Sequence, residues 1–151
     1  MSLYRQDKTT AKAGQIARVG ESLSRSTGEP NTGDTEVKVG HFVTFGAEYG
    51  CQALNDPKNV VLGVIVQDLL QGTYATDETP SVGRIGHGDA IWVVASGDFA
   101  RGDSVFIVTK DTETAKAGTV VKAAITSNTI ATTFVVEQVT TGLVMISRKE
   151  A

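Results

Sequence analysis

The two histidines are the side chains of this sequence best suited to acid–base chemistry or to zinc binding. His41 and His87 are far apart in the chain, and the single cysteine, Cys51, forms no ligand cluster with either of them. A zinc site needs several such ligands gathered at a characteristic spacing. The run His87-Gly-Asp89 places an imidazole near a carboxylate, but no serine or cysteine motif marks a nucleophile. A hydrolase that uses His41 or His87 is therefore the less favoured interpretation.

Several carboxylates are spaced in ways that suggest catalysis or calcium binding. Asp98 and Asp103 resemble the carboxylate pair of a glycosidase. Each follows a glycine at a predicted strand end, however, where an aspartate usually bonds to the local backbone of a turn. Asp77-Glu78 and the pair Asp111 and Glu113 lack the spacing of an EF-hand loop. The sequence therefore predicts no catalytic residue, no cofactor and no metal site.

Four further features are interpreted as structural. The glycine-rich run 83–88 neither follows a clear strand nor opens a helix, as a phosphate-binding loop must. Arg101-Gly-Asp103 matches the integrin-adhesion tripeptide, which we interpret as a coincidence in a chain without a recognisable secretion signal. Trp92 lies in an apolar run and is expected in the core. Cys51 has no partner for an internal disulfide and no basic neighbour, which favours an unreactive thiol in a reducing cytoplasm.

The remaining elements are organised around residues 91–95 and 105–109. Both runs are rich in branched and aromatic side chains, which a pleated strand accommodates better than a helix. Gly97-Asp98 and Gly102-Asp103 lie between them and favour turns, because glycine accepts positive φ and aspartate bonds to its local backbone. This pattern predicts two strands with a tight connection at the centre of a β-protein.

Most of the chain repeats this alternation of apolar runs and turns. In residues 37–45, apolar side chains at odd positions predict a half-buried strand that is interrupted at Gly40-His41. Residues 60–66 are apolar on both faces, which predicts a central strand covered on each side. Counting further runs gives about eight or nine strands and no convincing helix. We therefore predict an all-β fold, a β-sandwich or β-barrel of jelly-roll or tulip-like type.

Length and charge limit the possible classes of protein. With 151 residues, of which 40% are hydrophobic, the chain suits one domain with a single core. No apolar run approaches the ~20 residues that a membrane-spanning helix needs. Residues 1–25 carry a charge of +3, whereas the remainder carries −6. This mild asymmetry lacks the strong basic face of a nucleic-acid-binding protein, although it suits docking on an acidic protein surface or simple solubility.

Residues 1–35 show neither a helical nor a strand period. Their large apolar side chains are sparse, and residues 27–33 form a dense cluster of turn formers. Such a segment alone cannot bury enough apolar surface to offset the entropy of ordering it. We therefore divide the chain into an extended N-terminal arm, residues 1–35, which is expected to dock on another surface, and a single β-domain, residues 36–151.

Four stretches carry a resemblance to a known class of proteins. They are Gly33-Asp34 with the following Val37-Lys-Val-Gly-His-Phe-Val43, the apolar run 60–66, residues 88–107 and residues 142–147. In these stretches the chain resembles the capsid cement, or head decoration, proteins of tailed bacteriophages. The resemblance covers about three quarters of the chain. This chain differs in its longer N-terminal segment and its longer 67–88 loop.

The resemblance implies a structural protein without enzymatic activity or a cofactor, on the outer surface of an icosahedral head. It also implies assembly in the host cytoplasm, bridging of major capsid proteins, and dimers or trimers of the chain at symmetry axes, with no direct contact to nucleic acid or membrane. The apolar and basic side chains of the arm are then the candidate capsid contacts: Leu3, Tyr4, Arg5, Lys8, Lys12, Ile16, Arg18, Val19, Leu23 and Arg25.

A second class remains open, that of a carbohydrate-binding or adhesin-type β-module of a phage tail or fibre. Exposed loops suit such a module, and Tyr74 with Asp77-Glu78 is expected at the exposed tip of the 67–88 loop. Aromatic residues make up only 6% of the chain, however, and no loop shows a clear aromatic platform.

Overall fold

The fold is built almost entirely from short antiparallel strands. The computed structural model describes residues 11–149, and within this range it contains thirteen strands and one turn of 3-10 helix. The predicted all-β fold is confirmed. The strands are Ile16–Arg18 (β1), Thr27–Gly28 (β2), Val37–Lys38 (β3), Phe42–Phe45 (β4), Cys51–Ala53 (β5), Val61–Ile65 (β6), Thr73–Tyr74 (β7), Ser81–Gly83 (β8), Ala90–Val94 (β9), Ser104–Val108 (β10), Val120–Val121 (β11), Thr129–Thr140 (β12) and Leu143–Arg148 (β13), and the 3-10 turn is Leu23–Arg25. In the same range no helix is long and apolar enough to cross a bilayer.

The strands form three sheets. A six-stranded sheet has the order β1-β9-β13-β12-β10-β11, a five-stranded sheet has the order β2-β8-β6-β4-β5, and β3 pairs with β7 alone. The interruption predicted at Gly40-His41 is confirmed, because β3 ends before it and β4 begins after it in a different sheet. Gly40 has a φ of +75°, which a residue with a side chain rarely adopts.

The two runs predicted at the centre of the protein are β9 and β10, but they are not neighbours. Their connection contains turn glycines with positive φ at Gly97 and Gly102, as expected. Strands β13 and β12, which come later in the chain, nevertheless lie between them. The predicted tight connection between two central strands therefore needs correction. Turn chemistry shows where a chain reverses, whereas cross-strand packing decides which strands pair.

Two hydrophobic cores share the five-stranded sheet. The first core lies between the two larger sheets and includes Phe42, Val64, Ile91 and Ile107. The second lies on the opposite face of the five-stranded sheet, where the β3–β7 pair contributes to it, and it includes Ile65. Because neighbouring residues of β6 enter different cores, the predicted cover on both faces is confirmed for the strand itself, whereas Val60 at the start of the predicted run is exposed.

Residues 14–31, which we call the strap, join the open edges of both larger sheets. β1 extends the six-stranded sheet by pairing with β9, and β2 extends the five-stranded sheet by pairing with β8. Although the sequence shows no strand period in residues 1–35, the structure forms two short strands within this segment. The strands are two or three residues long, too short to show a period, and the edges of existing sheets supply their hydrogen-bond partners.

The strap is anchored by a buried carboxylate. Both oxygens of Asp89 accept backbone hydrogen bonds, from Ser22 at 2.9 Å, Leu23 at 3.0 Å and Gly86 at 2.8 Å, as well as from Gly20. Burial alone would raise the pKa of the Asp89 carboxyl, but the four N–H donors hold this pKa below its usual value. The backbone approaches Gly20 so closely that a Cβ there would clash with the His87 carbonyl oxygen. Asp89 therefore has a structural role.

Candidate functional site

The residues best suited to acid–base chemistry are not assembled into an active site. His41 is half-buried, its Nδ1 lies 3.2 Å from the Val39 carbonyl oxygen, and burial lowers its pKa, which favours the neutral ring. His87 is exposed on a different loop. Cys51 is fully buried, and burial raises the pKa of its thiol to about 11. Across residues 11–149, no three His, Cys, Asp or Glu side chains are grouped closely enough to hold a metal ion.

Two of the candidate carboxylates bond to the backbone of their own turns. Asp103 Oδ2 accepts a hydrogen bond from the Ala100 N–H at 2.7 Å, and Asp111 Oδ1 accepts one from Ala117 at 2.8 Å. Arg101, the first residue of the adhesion-like tripeptide, donates from Nε to the Glu137 carbonyl oxygen at 2.8 Å. These contacts give structural roles to residues that the spacing had suggested for catalysis or adhesion.

Tyr74 does not form an exposed aromatic tip, so that expectation is wrong. Its ring is buried in the second core, and its hydroxyl donates to Asp68 Oδ2 at 3.3 Å. The reason is the pairing of Tyr74 with Val37, which turns the β7 side chain inwards against the five-stranded sheet. Asp77 and Glu78 are exposed as predicted. The carbohydrate-binding alternative therefore loses the aromatic residue on which it depended.

The candidate capsid contacts of the arm occupy different environments. Leu3, Tyr4, Arg5 and Lys8 lie outside the described residues, and Lys12, Val19 and Arg25 are exposed. Their contact with a capsid, like the division of the chain at residue 35, stays a prediction.

The other three candidates are engaged within the chain. Arg18 Nη2 lies 2.7 Å from Glu137 Oε2, and Arg18 Nε donates to the Gly88 carbonyl oxygen at 2.8 Å. Ile16 is half-buried against the first core, and Leu23 is inside it with an exposed fraction of 1%. These side chains hold the strap to the β-domain.

Sequence reasoning missed Leu69 and Leu70, the most exposed large apolar side chains within residues 11–149, which we call the apolar tip. Their exposed fractions are 89% and 95%. The loop beneath them is hydrogen-bonded, because Asp68 Oδ1 accepts from the Leu70 N–H at 2.8 Å and Gln71 Nε2 donates to Glu78 Oε2 at 2.9 Å. Residues 67–79 contain three acidic side chains and no basic one. The tip is therefore a structured apolar projection with acidic flanks.

A second surface is a groove of about 700 Å³ between the start of β6 and the first half of β12. Its apolar lining is contributed by both larger sheets: Phe42, Val60, Val61, Leu62, Ile85, Ile107, Ile130 and Phe134. Arg84 and Arg148 also line it, and both are exposed, while no lining residue is acidic. Val60 is 68% exposed. We call this surface the basic-rimmed groove.

The apolar tip and the basic-rimmed groove lie at opposite ends of the same pair of strands. β6 begins at the groove with Val61 and leads towards the tip after Ile65. β8 runs antiparallel to it, from Ser81 near the tip to the segment that continues into Arg84 and Ile85 at the groove. At about 3.3 Å per residue, β6 alone separates the two surfaces by roughly 15 Å. The chain therefore has two different exposed apolar surfaces, one at each end of these strands.

Comparison with known proteins relates the whole chain to phage capsids. A family model described as the XM1 gp53 minor capsid protein matches residues 1–148. Among solved structures, a chain from the capsid of Myoviridae phage XM1 superposes with a TM-score of 0.73 at 15% sequence identity. The superposition covers 94% of this chain and 92% of the other, and at this identity it shows a shared fold. No curated protein sequence matches the chain.

Proposed function

Because this chain belongs to the XM1 gp53 minor capsid protein family, we propose that it cements a myophage head from the outside by bridging neighbouring major capsid proteins. Membership of the family makes it a structural component of the capsid and not an enzyme. In the proposal the protein is made in the host cytoplasm and binds at symmetry axes of the shell. A protein that binds only the assembled shell stabilises that state by mass action, and many copies together resist the outward pressure of packaged DNA.

The anchored strap is the observation that carries this proposal. A cement must transmit load from its attachment points to a rigid body, and the strap is hydrogen-bonded to both larger sheets and to Asp89. The exposed side chains Val19 and Arg25 lie on it, and Lys12 lies just before it. Residues 1–25 carry a charge of +3. This combination suits an acidic surface with apolar patches on the capsid.

The test is decoration of heads that lack the protein. Purified full-length chain, added to such heads, is expected to bind at a fixed copy number and to increase their survival on heating or osmotic shock. Occupancy is measured by gel densitometry and location by electron microscopy. Absence of binding together with unchanged head survival would reject the cement function.

A truncation tests the role of the N-terminal residues separately. Removal of residues 1–10 deletes Leu3, Tyr4, Arg5 and Lys8 and leaves every described contact of the strap in place. We expect this variant to keep the wild-type unfolding midpoint and to lose most of its head occupancy. Deletion of residues 1–25 is a poor test, because it also removes β1, Leu23 and three of the backbone N–H groups that donate to Asp89. Full occupancy of the truncated chain would exclude residues 1–10 from the interface.

A further inference from the structure

The apolar tip and the basic-rimmed groove are chemically complementary to each other. The tip presents two leucines beside two acidic side chains, Asp68, which bonds to the Leu70 N–H, and Glu78, which accepts from Gln71 Nε2. The groove presents an apolar lining beside two arginines, Arg84 and Arg148. We propose that the apolar tip of one copy inserts into the basic-rimmed groove of a second copy, so that copies of this chain associate head to tail.

The energetic argument begins with the exposure of the tip. Adjacent leucines that are almost fully exposed gain free energy when an apolar surface covers them, at roughly 25 cal/mol per Å² of apolar area. The hydrogen bonds of Asp68 and Gln71 already fix the loop, so little conformational entropy is lost when it docks. The groove has a volume of about 700 Å³ and therefore has room for two leucine side chains.

Charge favours a second copy over other apolar partners. Once Leu69 and Leu70 enter the groove, their acidic flanks come next to Arg84 and Arg148. Pairing of opposite charges at the rim speeds association and disfavours partners with the wrong charge. Both halves of this match are present on the same chain, so a single protein supplies the complete interface.

The arrangement of β6 and β8 determines the type of assembly. Because the tip and the groove lie at opposite ends of these strands, one chain cannot fill its own groove with its own tip. The contact joins two different surfaces, so it is heterologous and leaves a free tip and a free groove on every pair. Such contacts close into rings or extend into open chains, and they differ from the isologous contact of a two-fold dimer.

The contact is tested by disulfide trapping with one thiol on each surface. A Cβ added at Gly72 would meet no atom within 4 Å, so Gly72→Cys places a thiol beside the tip and keeps both leucines. Val60→Cys places the second thiol at the groove. The natural Cys51 is buried and does not interfere. On mild oxidation, full-length Gly72→Cys/Val60→Cys is expected to give a ladder of trimers and larger species, in solution and on heads.

Matched variants distinguish this contact from random collision. Gly72→Cys/Val139→Cys carries its second thiol on the six-stranded sheet, where Val139 is also exposed, and it is expected to give at most dimers. Adding Leu69→Ser/Leu70→Ser to Gly72→Cys/Val60→Cys should reduce the yield of cross-linked trimers and larger species at least tenfold. A ladder that survives these two serines, or equal ladders from both cysteine pairs, would overturn the proposal.

Binding to heads is measured in the same preparations, so this contact and the cement function can fail independently. Head binding without a ladder, combined with loss of occupancy in the Leu69→Ser/Leu70→Ser variant, would show that the tip contacts another capsid protein, and this also overturns the proposal. A ladder in solution from a chain that does not bind heads would support the head-to-tail contact and reject the cement function.

Discussion

The strap and the apolar tip begin from similar sequences and have opposite environments. Both contain few large apolar side chains in a polar setting rich in turn formers, and neither shows a clear period. Leu23 of the strap has an exposed fraction of 1%, whereas Leu69 and Leu70 of the tip have fractions of 89% and 95%. The same residue type is therefore part of the core in one segment and a free surface in the other.

The difference comes from the polar partners that each segment finds. In the strap, the backbone donors of Gly20, Ser22 and Leu23 all reach one carboxylate, Asp89, which holds Leu23 over the first core. In the tip, the carboxylate of Asp68 accepts from the Leu70 N–H and from the Tyr74 hydroxyl, two and six residues along the chain, and this local arrangement leaves the leucines exposed. A long-range acceptor folds a loop into the body, while a local acceptor lets it project.

Among the changes that test this comparison, replacement of Asp89 by asparagine is expected to have the largest effect on the free energy of unfolding. The neutral amide can keep its one acceptor oxygen for the three donors that Oδ2 serves, but its NH₂ group then faces the Gly20 N–H, and the three remaining hydrogen bonds lose their charged acceptor. We expect Asp89→Asn to lower the free energy of unfolding by about 3–5 kcal/mol. Chemical denaturation measures this loss.

The control for Asp89→Asn is Asp98→Asn, which alters an exposed aspartate in a turn and should change stability by less than about 0.5 kcal/mol. Amide hydrogen exchange provides a local measurement, because the N–H groups of Ser22 and Leu23 should exchange faster in Asp89→Asn. Equal stability of the two variants would show that the strap is held by its strand pairing and not by the carboxylate.

The second prediction compares the effect on stability of replacing the buried Leu23 with that of replacing the exposed Leu69 and Leu70. Leu23→Ala removes a buried side chain from the first core and is expected to lower the free energy of unfolding by about 3 kcal/mol. Leu69→Ser/Leu70→Ser removes two exposed side chains and should change it by less than about 0.5 kcal/mol. Denaturation curves and disulfide trapping should therefore separate the two segments, since one change affects folding and the other affects association. A strongly destabilised tip variant would contradict this division.

The sequence was sufficient to predict the parts of the fold that depend on local pattern. The run 60–66, apolar on both faces, became the central strand β6, and the break at Gly40-His41 became a change of sheet. Trp92 is buried as expected. These features follow from side-chain periodicity and glycine conformation, which neighbouring residues determine.

The features that the sequence did not predict depend on distant partners. The separation of β9 from β10 requires β13, which lies about fifty residues further along the chain than β9. The burial of Leu23 and Tyr74 depends on Asp89 and Val37, and nothing near either residue in the sequence indicates this. The apolar tip did carry a local signal, since two adjacent leucines in an acidic loop without a strand period have no core to enter.

The smallest expected effect, and the one most specific to the strap, is the change in folding stability at acid pH. The pKa of an aspartate carboxyl in an unfolded chain is about 3.9, and that of Asp89 in the folded protein is lower. The stabilisation from this carboxylate is therefore complete above the unfolded pKa and is lost as the pH falls below about 4 towards the folded value.

The stability gap between wild type and Asp89→Asn should consequently be constant from pH 7 to about 5 and narrow below about pH 4. Glu137, whose pKa the hydrogen bond from Arg18 lowers, titrates in both proteins and cancels from this difference. Urea unfolding across this pH range measures the gap. A gap that stays constant at pH 3 would mean that the charge of Asp89 does not hold the strap, and the contrast with the tip would then depend on the apolar contacts of Leu23.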